Sequence, residues 1–286
     1  MIVKAKAPVR IDFAGGTTDI FPFTHIYGGA VLNAAINRYV TGKIVKTDKK
    51  IHLEYSGNIP TSSGLGTSGV MNLVWLSLIS QIKLHKKGNL INTKIGLAEK
   101  VYDLEQALGI TGGKQDQYAG ALGGINFLEF NKEKVKITKL NLPKEIIREM
   151  ENSLILVYTG KPHFSGNSNK DIIDNLKKGK NVKELLRIKE IAYEMKNCLM
   201  KHDLQKFAVF MDEETRERDK LHSSTIPYKI EKIIKEGKEN GAISAKVCGS
   251  GGGGSILFFG NKKKLKRKFG SRIIDFKFDF EGLKWI

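Results

Sequence analysis

Three glycine-rich segments, far apart along the chain, constrain the fold of this protein more than any other feature of its sequence. They are Lys6–Asp19, Pro60–Gly69 and Gly249–Ser255, and the last contains four consecutive glycines. Ordering a glycine costs roughly 0.5–1 kcal/mol more than ordering an alanine, so a folded chain keeps such runs where side chains would not fit. All three segments also carry polar groups suited to anions or hydroxyls. Their joint presence predicts close approach of the backbone to a ligand or to another part of the chain.

The middle segment, Pro60–Gly69, leads directly into an apolar run of helical spacing that begins near Val70. Small residues let the backbone wrap around a phosphate, and the free N–H groups and the dipole at a helix start favour negative charge there. Thr67 or Ser68 also offers a hydroxyl to Mg²⁺, which prefers oxygen ligands. No Lys follows the glycines in the Walker A arrangement. Taken alone, the segment fits a plain Gly/Ser turn with Ser68 as the helix N-cap equally well.

The other two segments also suit a ligand. In the first, Arg10 and Asp19 flank a Gly-Gly turn, an arrangement that puts a guanidinium beside a phosphate and a carboxylate on a sugar hydroxyl. A surface Arg on a strand and Asp19 as the cap of a turn are the plain alternatives. The segment Gly249–Ser255 lies between two apolar, strand-like runs, so its alternative is a flexible hairpin loop.

A further glycine turn, Gly112–Gly113, comes shortly before Asp116. A carboxylate after a tight turn is well placed to orient or deprotonate an attacking hydroxyl in phosphoryl transfer. Upstream, Glu105 shares a helical face with Leu97 and Val101 and is a candidate ligand for a metal at nucleotide phosphates. For a lone Asp or Glu, a solvated surface position is the commoner explanation.

The order of the apolar patterns predicts two α+β units. Strand patterns followed by helical spacing predict the first at residues 1–150. A short apolar strand at Leu154–Tyr158, charged helices and a strand–loop–strand pattern at Ala242–Phe259 predict the second at residues 151–286. A chain of 286 residues is long enough to give both units a hydrophobic core.

Two features favour a cytoplasmic protein. The longest apolar stretch, Val70–Ile82, is interrupted by polar residues and is shorter than the roughly 20 residues that a bilayer span needs. Cys198 and Cys248 are too few and too far apart for a disulfide framework or a metal cluster, which indicates a reducing compartment.

Charge is strongly unbalanced, because 48 Lys and Arg stand against 30 Asp and Glu and give a formal net charge of +18. Such a field attracts nucleic acid, an anionic membrane surface or a small phosphorylated substrate. The run Lys262–Lys268 supports a nucleic-acid-binding protein as the alternative class. It lacks aromatic residues for base stacking, however, and only eight of the 48 cations are Arg, the usual reader of bases. We therefore expect a solvated charged face, with neither nucleic acid nor membrane as a partner.

Together these motifs resemble the GHMP kinase superfamily over nearly the whole chain. Pro60–Gly69 is similar to the nucleotide loop of that family, and residues 246–255 are similar to its C-terminal glycine motif. Within the superfamily, RIDFAGGTTD at residues 10–19 and GGKQDQYAG at residues 112–120 are most similar to D-glycero-D-manno-heptose 7-phosphate kinases, and GLGTS is also similar to L-fucose kinases. The resemblance implies a two-domain α+β fold, with a ribosomal-protein-S5-domain-2-like N-terminal domain, a ferredoxin-like C-terminal domain and the active site in the cleft.

The resemblance also implies an ATP- and Mg²⁺-dependent kinase, acting as a monomer or homodimer on the anomeric hydroxyl of a sugar or sugar phosphate. Asp116 would be the catalytic carboxylate, Arg10 the cation near the transferred phosphoryl group, and Asp19 a sugar-hydroxyl ligand. Thr67 and Glu105 would hold Mg²⁺, although the spacing from Glu105 to Asp116 is one residue shorter than in the family and leaves that assignment open. The nucleotide would contact Pro60, Ser62, Ser63, Gly64, Leu65, Gly66, Thr67, Ser68 and Gly69. The substrate would contact Asp19, Gly15, Gly16, Thr17, Gly113, Gly251 and Gly252.

Departures from the family patterns bear on the choice of substrate. Galactokinases carry Glu-His where this chain has Gly16-Thr17, and mevalonate kinases carry a Lys where Arg10 stands, so galactose and mevalonate are disfavoured. Fucose-type, galactose-type and mevalonate-like acceptors remain the alternatives. Four residues are candidates to bind a second phosphate on the sugar, although exposure to solvent is the commoner role of such groups: Lys161, His163, Arg216 and Lys220.

Overall fold

The computed structural model describes residues 2–48, 50–83, 90–160 and 165–286, which form two antiparallel sheets and the helices that cover them. The strands are β1 (Ile2–Ala14), β2 (Gly29–Lys46), β3 (Ile51–Gly57), β4 (Ile125–Asn131), β5 (Lys134–Lys139), β6 (Leu154–Tyr158), β7 (Ala242–Val247), β8 (Ser255–Gly260), β9 (Ile273–Ile274) and β10 (Lys284–Trp285). The helices are α1 (Phe23–Ile26), α2 (Thr67–Lys83), α3 (Leu90–Ala107), α4 (Gln115–Leu122), α5 (Lys144–Ser153), α6 (Ser165–Lys177), α7 (Val182–Met200), α8 (Leu204–Asp219), α9 (Tyr228–Glu239) and α10 (Lys262–Phe269), with a 3₁₀ turn at Gly270–Arg272.

The first sheet has the strand order β10-β1-β2-β4-β5, and β3 pairs with the second half of β2. The apolar patterns at residues 2–13 and 39–55 predict strands, and the structure has strands in both segments. The second segment belongs to β2, which begins earlier than expected, at Gly29. The pattern did not reveal this start, because residues 29–36 are all buried. A strand that is covered on both faces carries a continuous apolar run instead of an alternating one, so the period-2 signal is absent there.

Helix α2 packs against this sheet through one apolar face. Val70, Leu73, Val74 and Leu78 recur at three- and four-residue spacing and are all fully buried. The sheet leaves room for them at Gly42 of β2, where a Cβ atom would lie 2.7 Å from Cγ1 of Val74. The first turn of the helix is thereby fixed relative to β1 and β2.

The second sheet has the strand order β7-β8-β6-β9 and is joined to the first by helices α7 and α8. Helix α7 contacts β2, and α8 contacts β7. The aromatic ring of Phe207 in α8 lies 5.2 Å from that of Phe13 in β1 and 6.5 Å from that of Phe259 in β8. One continuous apolar core therefore connects the two sheets.

The predicted division at residue 150 falls within α5, between the strands of the two sheets. The last strand crosses this division, because β10 pairs with β1 and places Trp285 opposite Ala5. The indole Nε1 of Trp285 also donates to the carbonyl of Ser77 in α2 at 3.4 Å. The end of the chain thus supports the first sheet, while the assignment of residues 1–150 and 151–286 to two domains stays a prediction.

The mixture of helices and antiparallel strands confirms the predicted α+β class. None of the helices in the described ranges is long and apolar enough to cross a membrane. Cys198 and Cys248 are buried free thiols.

Candidate active site

A cleft of 310 Å³ brings the three glycine-rich segments together with the start of α4. Most of the predicted site residues line it, namely Arg10, Gly16, Thr17, Asp19, Ser62, Ser63, Gly64, Gly66, Thr67, Ser68, Gly69, Glu105, Gly113 and Asp116. The residues are up to 106 positions apart in the sequence, so their meeting is a consequence of the β1–β2 pairing and of the packing of α2 and α4 against it.

Arg10 and Asp116 form an ion pair at the centre of the cleft. Oδ1 of Asp116, in the first turn of α4, lies 2.7 Å from both Nε and Nη2 of Arg10. Nη1 of Arg10 donates to the carbonyl of Gly64 at 2.8 Å. Arg10 is 4% exposed, whereas the side chain of Asp116 is 27% exposed. Burial alone would lower the pKa of Arg10, but the negative charges of Asp116 and Asp12 outweigh it and raise that pKa. A fixed cation thus presents the carboxylate to the cleft.

The loop before α2 passes directly against Asp116. Gly66 has a φ of +75°, and a Cβ atom there would lie 2.6 Å from Cγ of Asp116, so both the left-handed backbone and the close approach require glycine. The same loop touches the C-terminal glycine segment, because a Cβ atom on Gly249 would lie 3.0 Å from the carbonyl oxygen of Gly64. The first three residues of α2 line the cleft. The positive end of the dipole of this 17-residue helix therefore faces the cleft.

Asp19 lies on another wall of the cleft and is 3% exposed. Its Oδ2 accepts a hydrogen bond from the backbone N–H of Gln115 at 3.1 Å, whereas its buried Oδ1 has no hydrogen-bond partner among the described residues. Burial raises the pKa of Asp19 to about 6, although the N–H of Gln115 acts in the opposite direction. Gly113 is needed beside it, since a Cβ atom there would lie 1.9 Å from Oδ2 of Asp19. A buried acceptor without a partner is suited to a ligand hydroxyl.

Glu105 and Thr67 provide oxygens of the kind that Mg²⁺ prefers. Glu105 of α3 is 5% exposed, and its carboxylate accepts hydrogen bonds from Asn72 at 2.8 Å and from Gln117 at 2.5 Å. Burial raises the pKa of Glu105, and the negative charge of Asp116 raises it further. Oγ1 of Thr67 is buried and has no hydrogen-bond partner within the described part of the chain. An orphaned hydroxyl and a second carboxylate on the same cleft as Asp116 fit a divalent cation, in spite of the short spacing from Glu105 to Asp116.

Two family models match this chain. The model described as the GHMP kinases N terminal domain matches residues 29–124, and the model described as GHMP kinases C terminal matches residues 195–275. The chain belongs to the GHMP kinases. It is therefore a phosphotransferase with an alcohol group as acceptor, and the expected GHMP kinase fold is confirmed.

Relatives of this GHMP kinase cover it from end to end. It is 29% identical to the D-glycero-alpha-D-manno-heptose 7-phosphate kinase of Campylobacter jejuni, over 99% of this chain and 98% of the relative. It is 24% identical to the bifunctional fucokinase/GDP-fucose pyrophosphorylase of Arabidopsis thaliana, over 99% of this chain and 32% of that protein. The solved structure of a D-glycero-D-manno-heptose 1-phosphate kinase from Bacteroides thetaiotaomicron has a TM-score of 0.79 at 24% identity, over 99% of this chain and 98% of that one, which shows the shared fold.

Beneath the cleft of this GHMP kinase lies a buried charge network that sequence reasoning missed. Nζ of Lys246, in β7, is 3.1 Å from Oδ2 of Asp12 and 3.1 Å from Oε2 of Glu214. Oε1 of Glu214 lies 2.6 Å from Nη2 of Arg218. Asp12 also accepts a hydrogen bond from the N–H of Gly249 at 3.1 Å. The network therefore links strand β1 to helix α8 and to the C-terminal glycine segment.

The positive and negative charges of this buried network stabilise one another. Burial alone would raise the pKa of Asp12, but the positive charges of Lys246, Arg10 and Arg218 lower it below its ordinary value. A signal for two of its members was present in the sequence. Asp12 and Lys246 each interrupt an apolar strand pattern, and a charge in such a place requires a buried partner.

Five predicted site residues do not line the cleft: Pro60, Leu65, Gly15, Gly251 and Gly252. Leu65 is fully buried in the core, and its carbonyl accepts a backbone hydrogen bond from β1. A Cβ atom on Gly15 would lie 1.9 Å from the carbonyl oxygen of Ala30, and one on Gly251 would lie 2.4 Å from that of Thr225. These glycines are needed where two backbone segments touch, and it is Gly249 and Ser250 of the last glycine segment that face the cleft.

The candidates for a second phosphate site lie elsewhere as well. The side chains of Arg216 and Lys220 are 64% and 55% exposed, and each pairs with an acidic residue of α8. The commoner role, exposure to solvent, is thus the one observed for both. Lys161 and His163 lie outside the described residues. Of the described residues that line the cleft, Arg10 is the one that carries a Lys or Arg side chain.

The lysine run Lys262–Lys268 forms most of α10. Its Leu265 is buried, as is Phe269 at the end of the helix, so the helix packs against the second sheet. Lys266 lies 2.6 Å from a carboxylate oxygen of Asp275, and Lys268 lies 3.3 Å from one of Glu236. Local acidic residues thus neutralise part of the field, while the expected absence of a nucleic-acid partner stays a prediction.

Proposed function

We propose that this GHMP kinase transfers the γ-phosphoryl group of ATP to the anomeric hydroxyl of a sugar phosphate, with a heptose 7-phosphate as the preferred acceptor. The observation that carries the proposal is the contact of Asp116 with Arg10 in a cleft that also contains a helix N-terminus and the buried Oδ1 of Asp19, which has no hydrogen-bond partner in the described part of the chain. The end-to-end likeness to the Campylobacter jejuni heptose 7-phosphate kinase supports this acceptor.

Asp116 orients the acceptor hydroxyl and takes its proton. Arg10 contacts Oδ1 of Asp116 through two nitrogens, which holds this oxygen in place and leaves Oδ2 to meet the hydroxyl. A positioned general base contributes about 10²–10⁴-fold to the rate of such a step. The positive charge of Arg10 stabilises the negative charge that moves with the phosphoryl group.

The phosphates of ATP bind at the start of α2. The loop Gly64–Gly69 supplies backbone N–H groups, and the dipole of α2 favours the negative charge. Thr67 and Glu105 would hold Mg²⁺, which would offset negative charge on the phosphates of the nucleotide. Dependence on ATP agrees with the cytoplasmic location that the sequence predicts.

The acceptor binds against Asp19 and the turn at Gly16 and Thr17. Oδ1 of Asp19 accepts a hydrogen bond from a sugar hydroxyl and thereby gains a partner, which it does not find among the described residues. Gly16 and Thr17 stand in place of the Glu-His pair that the family resemblance assigns to galactokinases, so the polar contacts that would favour galactose are missing. A fucose-type acceptor is the alternative, because of the likeness to the Arabidopsis thaliana fucokinase.

Release of ADP with ATP and Mg²⁺, measured across a set of acceptors, tests the proposal. We expect kcat/KM for D-glycero-D-manno-heptose 7-phosphate to exceed that for the free heptose, L-fucose, D-galactose and mevalonate by about tenfold or more. Phosphorus NMR of the product should show the new phosphate at C1. Equal turnover of free heptose would overturn the phosphorylated acceptor, and turnover of L-fucose alone would favour the alternative. No sugar-dependent ADP release from any acceptor would overturn the proposal.

A further inference from the structure

Arg218 is a cation beside the cleft that the proposed mechanism does not use. It is fully buried in α8, so it is shielded from both solvent and ligand. Its Nη2 donates to the carbonyl of Gly16 at 2.8 Å, and its Nη1 donates to Oγ1 of Thr17 at 3.2 Å. Nε and Nη2 also donate to Oε1 of Glu214 at 3.0 and 2.6 Å. The guanidinium fork thus joins helix α8 to a turn that forms part of the cleft wall.

The turn that Arg218 holds has an unfavourable backbone. Thr17 has a φ of +78°, a left-handed conformation that a β-branched residue rarely adopts. At Gly16 a Cβ atom would lie 2.8 Å from Oδ2 of Asp12 and 3.3 Å from Nη2 of Arg218. A strained turn persists when its surroundings over-determine it, and such turns cluster at ligand sites. The two hydrogen bonds from Arg218 supply part of that constraint.

Arg218 is itself held by the buried charge network. Glu214, which is fully buried, accepts from Arg218 through Oε1 and lies 3.1 Å from Nζ of Lys246 through Oε2. Lys246 in turn contacts Asp12, two residues from Arg10 in β1. Removing one member of a buried ion pair leaves an uncompensated charge, which is costly, so each member of the network helps to hold the others in place. Within the described part of the chain, the hydrogen bonds of Arg218 go to Glu214 and the turn, none to the nucleotide loop.

We propose that Arg218 is a positioning residue for the acceptor: it holds the Gly16–Thr17 turn in the conformation that binds the sugar phosphate, without touching the sugar phosphate itself. The inference rests on the proposed function, in which this turn and Asp19 form the acceptor wall. Through these contacts, helix α8 in the C-terminal half of the chain affects acceptor affinity indirectly, by holding a turn that belongs to the N-terminal half. A change at Arg218 should therefore weaken binding of the acceptor more than binding of ATP, which contacts the loop before α2.

Steady-state kinetics of Arg218→Lys test the inference. Lysine keeps the positive charge near Glu214, but its single ammonium group does not reproduce the planar fork that reaches Gly16 and Thr17 together. We expect the KM for the acceptor to rise by about tenfold or more, while the KM for ATP changes by less than about twofold. A substitution that merely loosened the fold would raise both KM values. Arg216→Lys is the matched control, because Arg216 lies two residues earlier on α8 and is exposed, and we expect it to leave both KM values unchanged.

Thr17→Ala approaches the same contact from the turn and remains informative if Arg218→Lys does not fold. It should raise the acceptor KM selectively. In the double variant the two fold-increases in KM should combine to less than their product, because each single change already removes the hydrogen bond between Arg218 and Oγ1 of Thr17. An unchanged acceptor KM in the folded variants, or an equal rise in the KM for ATP, would overturn the inference and leave the proposed function intact. Absence of sugar-dependent turnover in the wild-type protein would overturn both.

Discussion

Asp19→Asn should make the free protein more stable while it weakens acceptor binding. Asp19 is 3% exposed, and burial raises its pKa from the ordinary value of 3.8 to about 6. The folded protein therefore binds this proton more tightly than the unfolded chain does, and ionising Asp19 in the fold costs stability. Asparagine keeps the shape of the side chain and an oxygen that can accept the N–H of Gln115 at 3.1 Å, but carries no charge to bury.

The size of the effect follows from the two pKa values of Asp19. A group whose pKa is raised on folding contributes its stability below the unfolded value of 3.8, and that contribution is lost as the pH rises through about 6. The gap between the two values corresponds to about 3 kcal/mol of unfolding free energy. Asp19→Asn should therefore be more stable than the wild type by up to about 3 kcal/mol at pH 7.5, and by less than about 1 kcal/mol at pH 4.

Urea unfolding followed by circular dichroism between pH 4 and 7.5 measures this difference. Asp103→Asn, an exposed change on α3, is the control and should change the unfolding free energy by less than about 0.5 kcal/mol. In the ADP-release assay, Asp19→Asn should raise the acceptor KM, because the asparagine oxygen is a weaker acceptor for a sugar hydroxyl than a carboxylate is. A variant less stable than the wild type at pH 7.5, or a stability difference that is constant from pH 4 to 7.5, would refute the reasoning.

Three further substitutions test separate parts of the site. Gly66→Ala should destabilise the protein and abolish turnover, because its Cβ atom would lie 2.6 Å from Cγ of Asp116; normal thermal melting and ADP release would contradict the close approach. Glu105→Gln should raise the Mg²⁺ concentration for half-maximal rate by about tenfold or more, and an unchanged Mg²⁺ titration would remove Glu105 from the ligands. Lys246→Met should lower the unfolding free energy by about 3–5 kcal/mol, because it removes the ammonium group that contacts Oδ2 of the buried Asp12; a loss below about 1 kcal/mol in urea titration would count against the network.

Much of the cleft could be predicted, because short sequence motifs specify the backbone conformations that form it. Gly66 and Gly113 are glycines since Asp116 and Asp19 occupy the space of their side chains, and each glycine stands in a short motif visible in the sequence. The first turn of α2 follows directly from the Pro60–Gly69 pattern. Phosphate-binding loops are recognisable for this reason, since backbone conformation and ligand contact are encoded in the same few residues.

The contacts of Arg218 could not be predicted from the sequence around it. Arg216, Arg218 and Lys220 look alike in the sequence, yet Arg218 alone of the three is fully buried, and its contact with Gly16 spans 202 residues. The contact between Arg218 and Gly16 forms only when the two sheets pack together. Its burial, however, had a signal: Arg218 continues, at three- and four-residue spacing, a buried face of α8 that includes Met211 and Glu214.

Two features of the first sheet were not predicted either, because they too depend on contacts between distant parts of the chain. The buried half of β2 lacks the alternation of a half-exposed strand, because it is covered on both faces. The two-residue strand β10 exists only through its pairing with β1 and is too short to show a pattern of its own.

The value of kcat for Asp116→Asn, with saturating ATP, Mg²⁺ and heptose 7-phosphate, tests the central claim most directly. Asparagine fills the same space beside Arg10 but does not take a proton from the acceptor hydroxyl. We predict a folded protein that binds a fluorescent ATP analogue with unchanged affinity and whose kcat is lower by about 10²–10⁴-fold. A kcat within about threefold of the wild-type value would contradict the assignment of Asp116 as the base for phosphoryl transfer.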